Sequence, residues 1–341
     1  MILLKEQWYF MASAITNRFI RTIKRESEPK SILVIKLDEI GDMVYAIPVF
    51  AQLKERFPQS EITLWCKPFV KPLVQNNSAI DHFIHQTPDN IKFDLIVELR
   101  GNWETLKYAL SHMPKRRLDR GEVRIKNKLK GEQKHEWITN FEIIKPLLAS
   151  GSKPLWPEIV VDDTTKTDVD LFLQQNNLTN YAVLHCGARR KLRQWSSRNF
   201  AALANTLFTK YKLTPVFAGT EEDEGVIDEI IKLGHLDAVK CLKDFSLVHF
   251  AELTRRSKLF VGNESGPLHI ATVMKIPVVG IYGPGIKDIF YPIGEQSRVV
   301  HHVLECNPCD QIHCVRPDSP CIDLATLAEV EGMVEELLGE E

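Results

Sequence analysis

A Glu-Ser-Gly turn followed by a histidine is the segment of this chain best suited to bind a phosphorylated ligand. Residues 258–261 predict a buried strand, and the pattern after them predicts a helix that begins at Gly266. A helix start presents unpaired N–H groups and the positive end of the helix dipole, which together attract anions. The alternative is an ordinary connection in which Ser265 only caps the helix. The residues predicted to line a diphosphate site here are Glu264, Ser265, Gly266 and His269.

A second strand–turn–helix element lies near the N-terminus and carries a carboxylate. Residues 32–37 form a short apolar run with β-branched members, which predicts a central parallel strand. A turn containing Gly41 follows, and helical apolar spacing then extends over residues 43–57. Asp42 is therefore expected at a helix start and at the edge of the sheet where open α/β folds bind ligands. There the helix dipole would hold it ionised, as a general base requires, although Asp42 could also serve only as a cap.

Four blocks of sequence carry a resemblance to glycosyltransferase family nine, the ADP-heptose:lipopolysaccharide heptosyltransferases. Each block is short, but the four occur in the family's order and at family-like spacing over nearly the whole chain from residue 31 onward. The resemblance implies the GT-B fold, an α/β architecture in which two Rossmann-like, doubly wound domains face each other across a cleft. The blocks are residues 35–44 with Pro48, 184–188 with 193–195 and Phe200, 217–222, and 261–271 with 277–284.

Strand and helix patterns alternate along the chain, as they do in doubly wound sheets. We expect an amphipathic helical extension over residues 1–30, an acceptor domain over 31–163 and a nucleotide-sugar domain over 164–323. By analogy with the GT-B fold, a helix over 324–341 is expected to return to the N-terminal domain, and another helix is predicted over 165–176. Further strands are predicted at residues 62–66, 82–84, 94–98, 159–161, 181–185, 214–218, 238–240, 259–261 and 278–282.

The resemblance implies an inverting transfer of heptose, or a related sugar, from an ADP-sugar to a lipopolysaccharide core acceptor. Asp42 matches the family's base, with Asp38 and Glu39 as nearby alternatives. No catalytic metal or other cofactor is expected. In the family's pattern Arg193 would contact phosphate, Glu222 the ribose and Phe245 the adenine. The predicted donor-binding residues are Gly187, Ala188, Arg193, Glu222, Phe245, Glu264, Ser265, Gly266 and His269.

Each of these assignments has a structural alternative. Arg193 and Glu222 could be surface charges in charged runs, and Phe245 could be a core aromatic residue. The chain also departs from the family, which usually has Asp-Thr-Gly where this sequence has Glu264-Ser265-Gly266, and Lys where it has Arg193. Two other functions therefore stay open: transfer from a different nucleotide sugar, and non-catalytic binding of a nucleotide sugar or glycolipid by a GT-B protein.

A basic stretch over residues 115–134 is the candidate acceptor side. It has nine positive charges against three negative ones, in a chain of net charge −2. An anionic glycolipid of the lipid A–core type would explain this excess, whereas nucleic acid is not expected, because no stacking aromatic residues are interleaved. A basic loop without a ligand is the alternative. The predicted acceptor-binding residues are Gly41, Arg120, Arg124 and Lys126.

Composition and the two ends of the chain suggest a cytoplasmic enzyme. The chain has 341 residues, with 44% hydrophobic and 26% charged, and no apolar run long enough to span a bilayer. Residues 1–25 form an amphipathic pattern without signal-peptide character, which would rest either on an anionic inner-membrane surface or on the protein's own domain. Four of the seven cysteines lie near the C-terminus at spacings irregular for zinc, so a structural metal stays open there: Cys306, Cys309, Cys314 and Cys321.

Overall fold

The computed structural model describes residues 2–23, 28–242, 245–307 and 309–339. They form two compact units, Met1–Glu158 and Ile159–Glu341. Each unit is built around one parallel sheet, of five strands in the first and six in the second. Within the described residues, no helix has both the length and the apolar composition needed to cross a bilayer.

The strands of the first unit form a doubly wound sheet. They are β1 (Ser31–Lys36), β2 (Glu61–Cys66), β3 (His82–Ile84), β4 (Leu95–Arg100) and β5 (Arg116–Asp119). Their order is β3-β2-β1-β4-β5, and every neighbouring pair is parallel. The chain adds strands on one side of β1 and then crosses to β4 on the other side. The carboxyl end of β1 therefore lies at the switch point where open sheets bind ligands.

The helix predicted over residues 43–57 is in fact two helices. Pro48 lies in the first turn of the second helix, where its missing N–H cannot continue the preceding turn. The break falls at Tyr45 and Ala46. The helices of this unit are α1 (Ile2–Ile23), α2 (Ile40–Val44), α3 (Ile47–Arg56), α4 (Trp103–His112), α5 (Arg120–Leu129) and α6 (Glu136–Ile144).

Helix α1 packs against its own unit through polar side chains. The buried guanidinium of Arg117 in β5 donates to Ser13 Oγ at 2.7 Å and to Asn17 Oδ1 at 2.6 Å. It also pairs with Glu98 at 3.1 Å, and Glu98 accepts a hydrogen bond from the Tyr9 hydroxyl. Since a buried charge is costly unless it is paired and hydrogen-bonded, this network fixes the face that α1 turns inward.

The second unit has a doubly wound sheet as well. Its strands are β6 (Tyr181–His185), β7 (Thr214–Ala218), β8 (Val239–Cys241), β9 (Leu259–Asn263), β10 (Val278–Tyr282) and β11 (Ser297–His301). The order is β11-β10-β9-β6-β7-β8, again parallel throughout. The order reverses between β6 and β9, so the carboxyl ends of these two strands form the switch point of this unit.

The C-terminal helix belongs to the second unit. The helices here are α7 (Asp163–Gln175), α8 (Ser197–Thr209), α9 (Glu224–Gly234), α10 (Leu247–Arg255), α11 (Gly266–Val273), α12 (Lys287–Phe290) and α13 (Leu327–Leu338). Val330, Val334 and Leu337 of α13 lie in the same hydrophobic core as β6, β9 and β10. The prediction that this helix returns to the N-terminal domain is therefore wrong, because its apolar face is already buried in its own unit.

The strand predictions fail in one apolar segment that forms no strand and in two strands that contain few apolar residues. Residues 159–161 form no strand, although their apolar pattern predicted one. Strands β5 and β11 were not predicted, because β5 carries Arg116 and Arg117 and β11 carries Arg298 and His301 among few apolar residues. The other predicted strands are confirmed to within about two residues at each end, which is the usual uncertainty of element boundaries.

Candidate active site

The carboxyl end of β1 gathers five charged side chains from three segments of the first unit. Lys36 ends β1, and Asp38 and Asp42 follow in the turn and in α2. Arg120 begins α5, and Glu136 begins α6. The three carboxylates each present an oxygen within 4.8 Å of the others. A charged cluster of this kind at a sheet switch point is the first candidate for chemistry in this chain.

Lys36 and Arg120 supply the counter-charge for Glu136. Lys36 Nζ lies 3.0 Å from Glu136 Oε1 and 3.4 Å from Asp38 Oδ2. Arg120 donates to both carboxylate oxygens of Glu136, with Nη2 at 2.6 Å from Oε2. Burial alone would raise the pKa of Glu136, but Arg120 and Lys36 outweigh it and hold that pKa well below its usual range. Glu136 is therefore a fixed anion that orients the two cations.

Asp42 holds its proton much more tightly than Glu136. Burial raises the pKa of Asp42 to about 7, the charge of Asp38 adds to the rise, and Lys36 opposes it. The prediction that the helix dipole holds this carboxylate ionised is wrong. A dipole contributes only about 0.3–1 kcal/mol, and α2 has just five residues. A pKa near 7 suits a group that accepts a proton at neutral pH.

Asp38 is placed to influence Asp42 rather than to replace it. Its Oδ2 faces Lys36 and lies 3.9 Å from Arg100 Nε. Its Oδ1 is buried and has no hydrogen-bond partner among the described residues. Lys36 and Glu136 escaped the sequence analysis as site residues. A lysine at the end of an apolar strand was a usable signal for the first, whereas nothing near Glu136 distinguishes it in the sequence.

The basic stretch of the sequence is largely internal or paired. It forms β5 and α5, so the alternative of a basic loop is wrong. Arg117 is fully buried, and Arg120 is 4% exposed and bound to Glu136. The prediction that Arg120 binds the acceptor by its charge therefore gives way to a role in positioning the cluster. Arg124 lies over the Phe10 ring at 5.8 Å, Lys126 is exposed, and Gly41 is buried in α2.

The second candidate site lies at the carboxyl end of β9 in the second unit. Ser265 precedes α11, but its side chain makes no capping hydrogen bond and its hydroxyl donates to the Asn263 carbonyl at 3.1 Å. The alternative in which Ser265 only caps the helix is therefore wrong. The Asn263 side chain in turn donates to the Cys186 carbonyl at 2.7 Å and accepts from the Trp195 N–H at 3.0 Å. Asn263 thus joins the ends of β9 and β6 at the switch point.

Arg193 is held against this turn and is not an isolated surface charge. Its Nη1 lies 3.4 Å from both Glu264 Oε1 and the Glu264 carbonyl oxygen. Its Nε donates to Gln311 Oε1 at 2.7 Å. The side chain keeps 26% of its surface exposed, so a ligand can still reach the guanidinium. Gln311 had no sequence signal, because it reaches Arg193 only through tertiary structure.

Glu264 is a buried carboxylate with spare hydrogen-bonding capacity. It is 3% exposed, and burial raises its pKa to about 7 while Arg193 lowers it. Its Oε2 is buried without a hydrogen-bond partner among the described residues. A Cβ on Gly285 would come within 1.7 Å of the same oxygen, so a larger residue in that loop would force the Glu264 side chain to move. A ligand hydroxyl would satisfy the remaining oxygen.

The remaining predicted donor residues lie in four places of the second unit. Gly187 follows β6, where a Cβ would come within 2.1 Å of Asp223 Oδ1, so this glycine allows Asp223 to approach. The next residue, Ala188, accepts a hydrogen bond from Gln194 Nε2 at 2.9 Å. His269 is buried one turn into α11.

Glu222 and Phe245 are accessible in different degrees. Glu222 is exposed in a 3-10 turn, Glu221–Asp223, directly after β7. Phe245 is half-buried, with its ring centroid 4.9 Å from that of Phe172 and 5.2 Å from that of His249. Neither position contradicts the predicted contact, which is with the ribose for Glu222 and with the adenine for Phe245. Both assignments stay predictions.

The comparison with known protein families decides the class of this chain. A family model described as glycosyltransferase family 9 (heptosyltransferase) matches residues 125–318, more than half of the sequence. The chain belongs to glycosyltransferase family 9. It is therefore a glycosyltransferase, and the resemblance carried by the four sequence blocks is confirmed.

Relatives of this family 9 glycosyltransferase agree in sequence and fold. Lipopolysaccharide heptosyltransferase 2 of Salmonella typhimurium is 24% identical over 306 residues, covering 79% of this chain and 87% of that protein. A family 9 glycosyltransferase from Veillonella parvula has a TM-score of 0.80 at 18% identity, covering 93% and 100%. E. coli heptosyltransferase WaaC, solved with ADP, has a TM-score of 0.63 at 14% identity, covering 90% and 99%. The predicted GT-B class, with two parallel-sheet domains, is confirmed.

The charge cluster generates a stability prediction for the family 9 chain. The pKa of Asp42 is raised on folding, so ionisation of Asp42 lowers the free energy of unfolding. This loss of stability is absent below about pH 3.8 and reaches its full size above about pH 7. Asp42→Asn should therefore raise the melting temperature at pH 8.5 by at least about 2–4 °C, which corresponds to roughly 1 kcal/mol. The gain should shrink towards zero at pH 4. Differential scanning fluorimetry across this pH range measures it, and a variant that is less stable than wild type at pH 8.5 would contradict the assigned pKa.

Proposed function

We propose that this protein transfers heptose, or a closely related sugar, from an ADP-sugar to a lipopolysaccharide core acceptor with inversion of configuration. Heptose transfer in lipopolysaccharide synthesis is the activity named for its curated relatives. The observation that carries the proposal is that Asp42 lies at the switch point of the first sheet and has a pKa of about 7. In this proposal the first unit binds the acceptor and the second binds the donor.

Asp42 acts as the general base. Its carboxylate takes the proton of the acceptor hydroxyl while the hydroxyl oxygen forms a bond to the anomeric carbon. The bond from that carbon to the diphosphate breaks on the opposite face, which inverts the configuration. Lys36 and Arg120 keep Glu136 and Asp38 paired, so the proton goes to the carboxylate with the raised pKa.

The donor side rests on Arg193, Glu264 and the start of α11. The guanidinium of Arg193 and the first N–H groups of α11 stabilise the negative charge of the leaving diphosphate. The unpaired Oε2 of Glu264 accepts a hydroxyl of the donor sugar. ADP as the nucleotide is supported by the neighbour WaaC, which was solved with ADP. Glu222 is assigned to the ribose and Phe245 to the adenine, as the family pattern implies.

A different donor sugar is the second candidate, and one observation favours it. Glu264 is one methylene longer than the family's Asp, and it is enclosed beneath Gly285. Its carboxylate therefore extends further than an aspartate at the same place would, by roughly 1.5 Å. A sugar with another hydroxyl pattern would follow from that displacement.

Asp42→Asn tests the base. The variant should lose about 10²–10⁴-fold in kcat, because asparagine cannot accept the proton, while its affinity for ADP stays within twofold of wild type. For the wild type, kcat/KM should rise with pH and level off above about pH 7, where Asp42 is ionised. Steady-state transfer assays and ADP titration by calorimetry provide both quantities.

Glu39→Gln is the matched control for the base. Glu39 lies in the same turn, but its carboxylate pairs with Lys67 at 2.9 Å, away from the cluster. The control should retain wild-type turnover and the same pH profile. If Asp42→Asn remains active, or if Glu39→Gln is the inactive variant, the base assignment fails.

The nucleotide preference tests the donor. We expect ADP, without added metal, to raise the melting temperature more than UDP, GDP or CMP, since a ligand that binds only the folded state at 100 times its Kd stabilises by about 2.7 kcal/mol. Arg193→Met should abolish most of the ADP shift, whereas Arg190→Met, an exposed arginine of the same run, should not. Preference for UDP or GDP would transfer the proposal to another donor, and no shift with any nucleotide would favour a non-catalytic protein.

We infer in addition that α1 rests on an anionic membrane, at the cytoplasmic face of the inner membrane. Between Trp8 and Ile20 the helix buries three polar residues together with Tyr9 and Ile20, and it turns four large apolar residues outward, which is unusual for a surface helix. Its exposed residues are Trp8 at 64%, Met11 at 50%, Ile15 at 67% and Phe19 at 52%. Exposed cations lie beside them on α1 and on the adjoining α5, together with the 84% exposed Leu129: Arg18, Lys126, Lys128 and Lys130. An apolar face flanked by lysine and arginine matches the interface of anionic lipids.

Vesicle sedimentation tests the membrane surface. Wild type should bind vesicles containing phosphatidylglycerol, bind phosphatidylcholine vesicles more weakly, and dissociate as salt is raised. The double variant Ile15→Ser, Phe19→Ser should bind at least tenfold more weakly, because it removes apolar area worth more than about 1.4 kcal/mol. Leu171→Ser, an equally exposed apolar residue of the second unit, serves as control. A wild type that ignores the vesicles, or that forms dimers through this face in light scattering, would refute the membrane assignment.

A further inference from the structure

Four cysteines of the second unit surround one small cavity. The segment between β11 and α13 brings their side chains together although they are spread over 16 residues: Cys306, Cys309, Cys314 and Cys321. The cavity has a volume of about 30 Å³, and Leu192 and Pro284 are among the other residues that line it. All four cysteines are free thiols. A space of this size holds a single ion or one water molecule, since a water needs at least about 10–15 Å³.

The backbone around these cysteines offers N–H groups to the sulfur atoms. The N–H of Gln311 donates to Cys309 Sγ at 3.3 Å, and that of Arg316 donates to Cys314 Sγ at 3.4 Å. In both cases the donor lies two residues after the cysteine. The Asn307 amide also approaches Cys321 Sγ, at 3.9 Å. Hydrogen bonds of this kind orient a sulfur ligand, as outer contacts do around metal sites.

We propose that Cys306, Cys309, Cys314 and Cys321 bind one thiophilic metal ion, Zn²⁺, in a closed structural site. Four thiolates with no room for a substrate match the tetrahedral, fully protein-liganded sites that zinc and iron occupy. The first two cysteines form the Cys-x2-Cys pair common in such sites. The irregular spacing of the other two, which counted against zinc in the sequence, has no weight once the fold brings all four to one cavity.

Metal binding would have to draw the four sulfur atoms closer together. Among the described residues, the one group of three or more possible ligand atoms within 4.8 Å of each other is Asp38, Asp42 and Glu136, so the sulfur atoms stand further apart than in a metal complex. In a zinc complex the sulfurs would lie about 2.3 Å from the ion.

The bound ion would stabilise the segment between β11 and α13, which contacts Arg193 through Gln311. Gln311 lies between Cys309 and Cys314 and accepts the hydrogen bond from Arg193 Nε at 2.7 Å. Leu192, the neighbour of Arg193, lines the cavity itself. The metal is thus a positioning element for an arginine that the proposed function assigns to the diphosphate, and this coupling rests on that proposal. The existence of the metal site does not.

Metal analysis of the full-length protein, purified under reducing conditions without chelator, tests the site. We expect close to one zinc per chain by mass spectrometry of the metal, and four thiols that resist alkylation until the metal is removed. Cys314→Ser should reduce the metal content at least fivefold, while Cys241→Ser, a buried cysteine at the end of β8, should leave it unchanged. One iron in place of zinc, recognised by visible thiolate-to-iron absorption, would keep the four-thiolate site and change only the ion.

Cobalt substitution keeps the test decisive if Cys314→Ser does not fold. Wild-type protein stripped of metal and titrated with Co²⁺ should develop the intense near-ultraviolet band of thiolate ligation and the visible bands of tetrahedral cobalt at one equivalent. Absence of metal together with absence of these bands, or recovery of the four cysteines as disulfides under reducing purification, would overturn the site. ADP binding tests the coupling separately: metal removal should weaken ADP at least fivefold, and Gln311→Ala should do the same with the metal retained. Unchanged ADP affinity with one bound metal would refute the coupling alone.

Discussion

The burial of charge at the carboxyl end of β1 is the constraint on which the proposed chemistry depends. Glu136 can be buried only because Lys36 and Arg120 pair with it. Burial of Asp42, with the nearby charge of Asp38, then raises its pKa to about 7, although Lys36 and Arg120 oppose the rise. The same arrangement that costs stability therefore provides a proton acceptor at neutral pH. Such a conflict between stability and function is typical of active sites.

The requirement that a buried charge be paired also explains how other parts of the chain are arranged. Arg117 is buried in β5 and pairs with Glu98 and with polar residues of α1, so the packing of that helix depends on a buried charge as well as on the apolar contacts of Tyr9 and Ile20. Trp8, Met11, Ile15 and Phe19 of α1 face outward. In the second unit, Arg193 accompanies Glu264, whose second oxygen has no partner among the described residues.

The cysteine-lined cavity lies in the segment after β11, whose conformation must also be fixed by specific interactions. That segment has little regular structure apart from a short 3-10 turn, Cys321–Leu324. It nevertheless supplies Gln311 to the donor side, so something other than secondary structure has to fix it. Thiolate ligation of one ion would provide that constraint, since binding a structural metal contributes directly to folding free energy. Catalysis itself would stay with carboxylate and arginine groups of the two sheets.

The sequence by itself determined the two parallel sheets, the family and the residues at both switch points. Apolar strand runs and the turns after them are local features, so β1, β9, Asp42 and the Glu264-Ser265-Gly266 turn could be read directly. Only tertiary structure decided the partners: Glu136 and Arg120 at Asp42, Gln311 at Arg193, and the inward polar face of α1. It also decided that Arg120 serves the cluster rather than a ligand and that α13 stays in its own unit. The physical reason is that burial, and with it the pKa and the pairing of a charge, depends on residues distant in the chain, which no local pattern encodes.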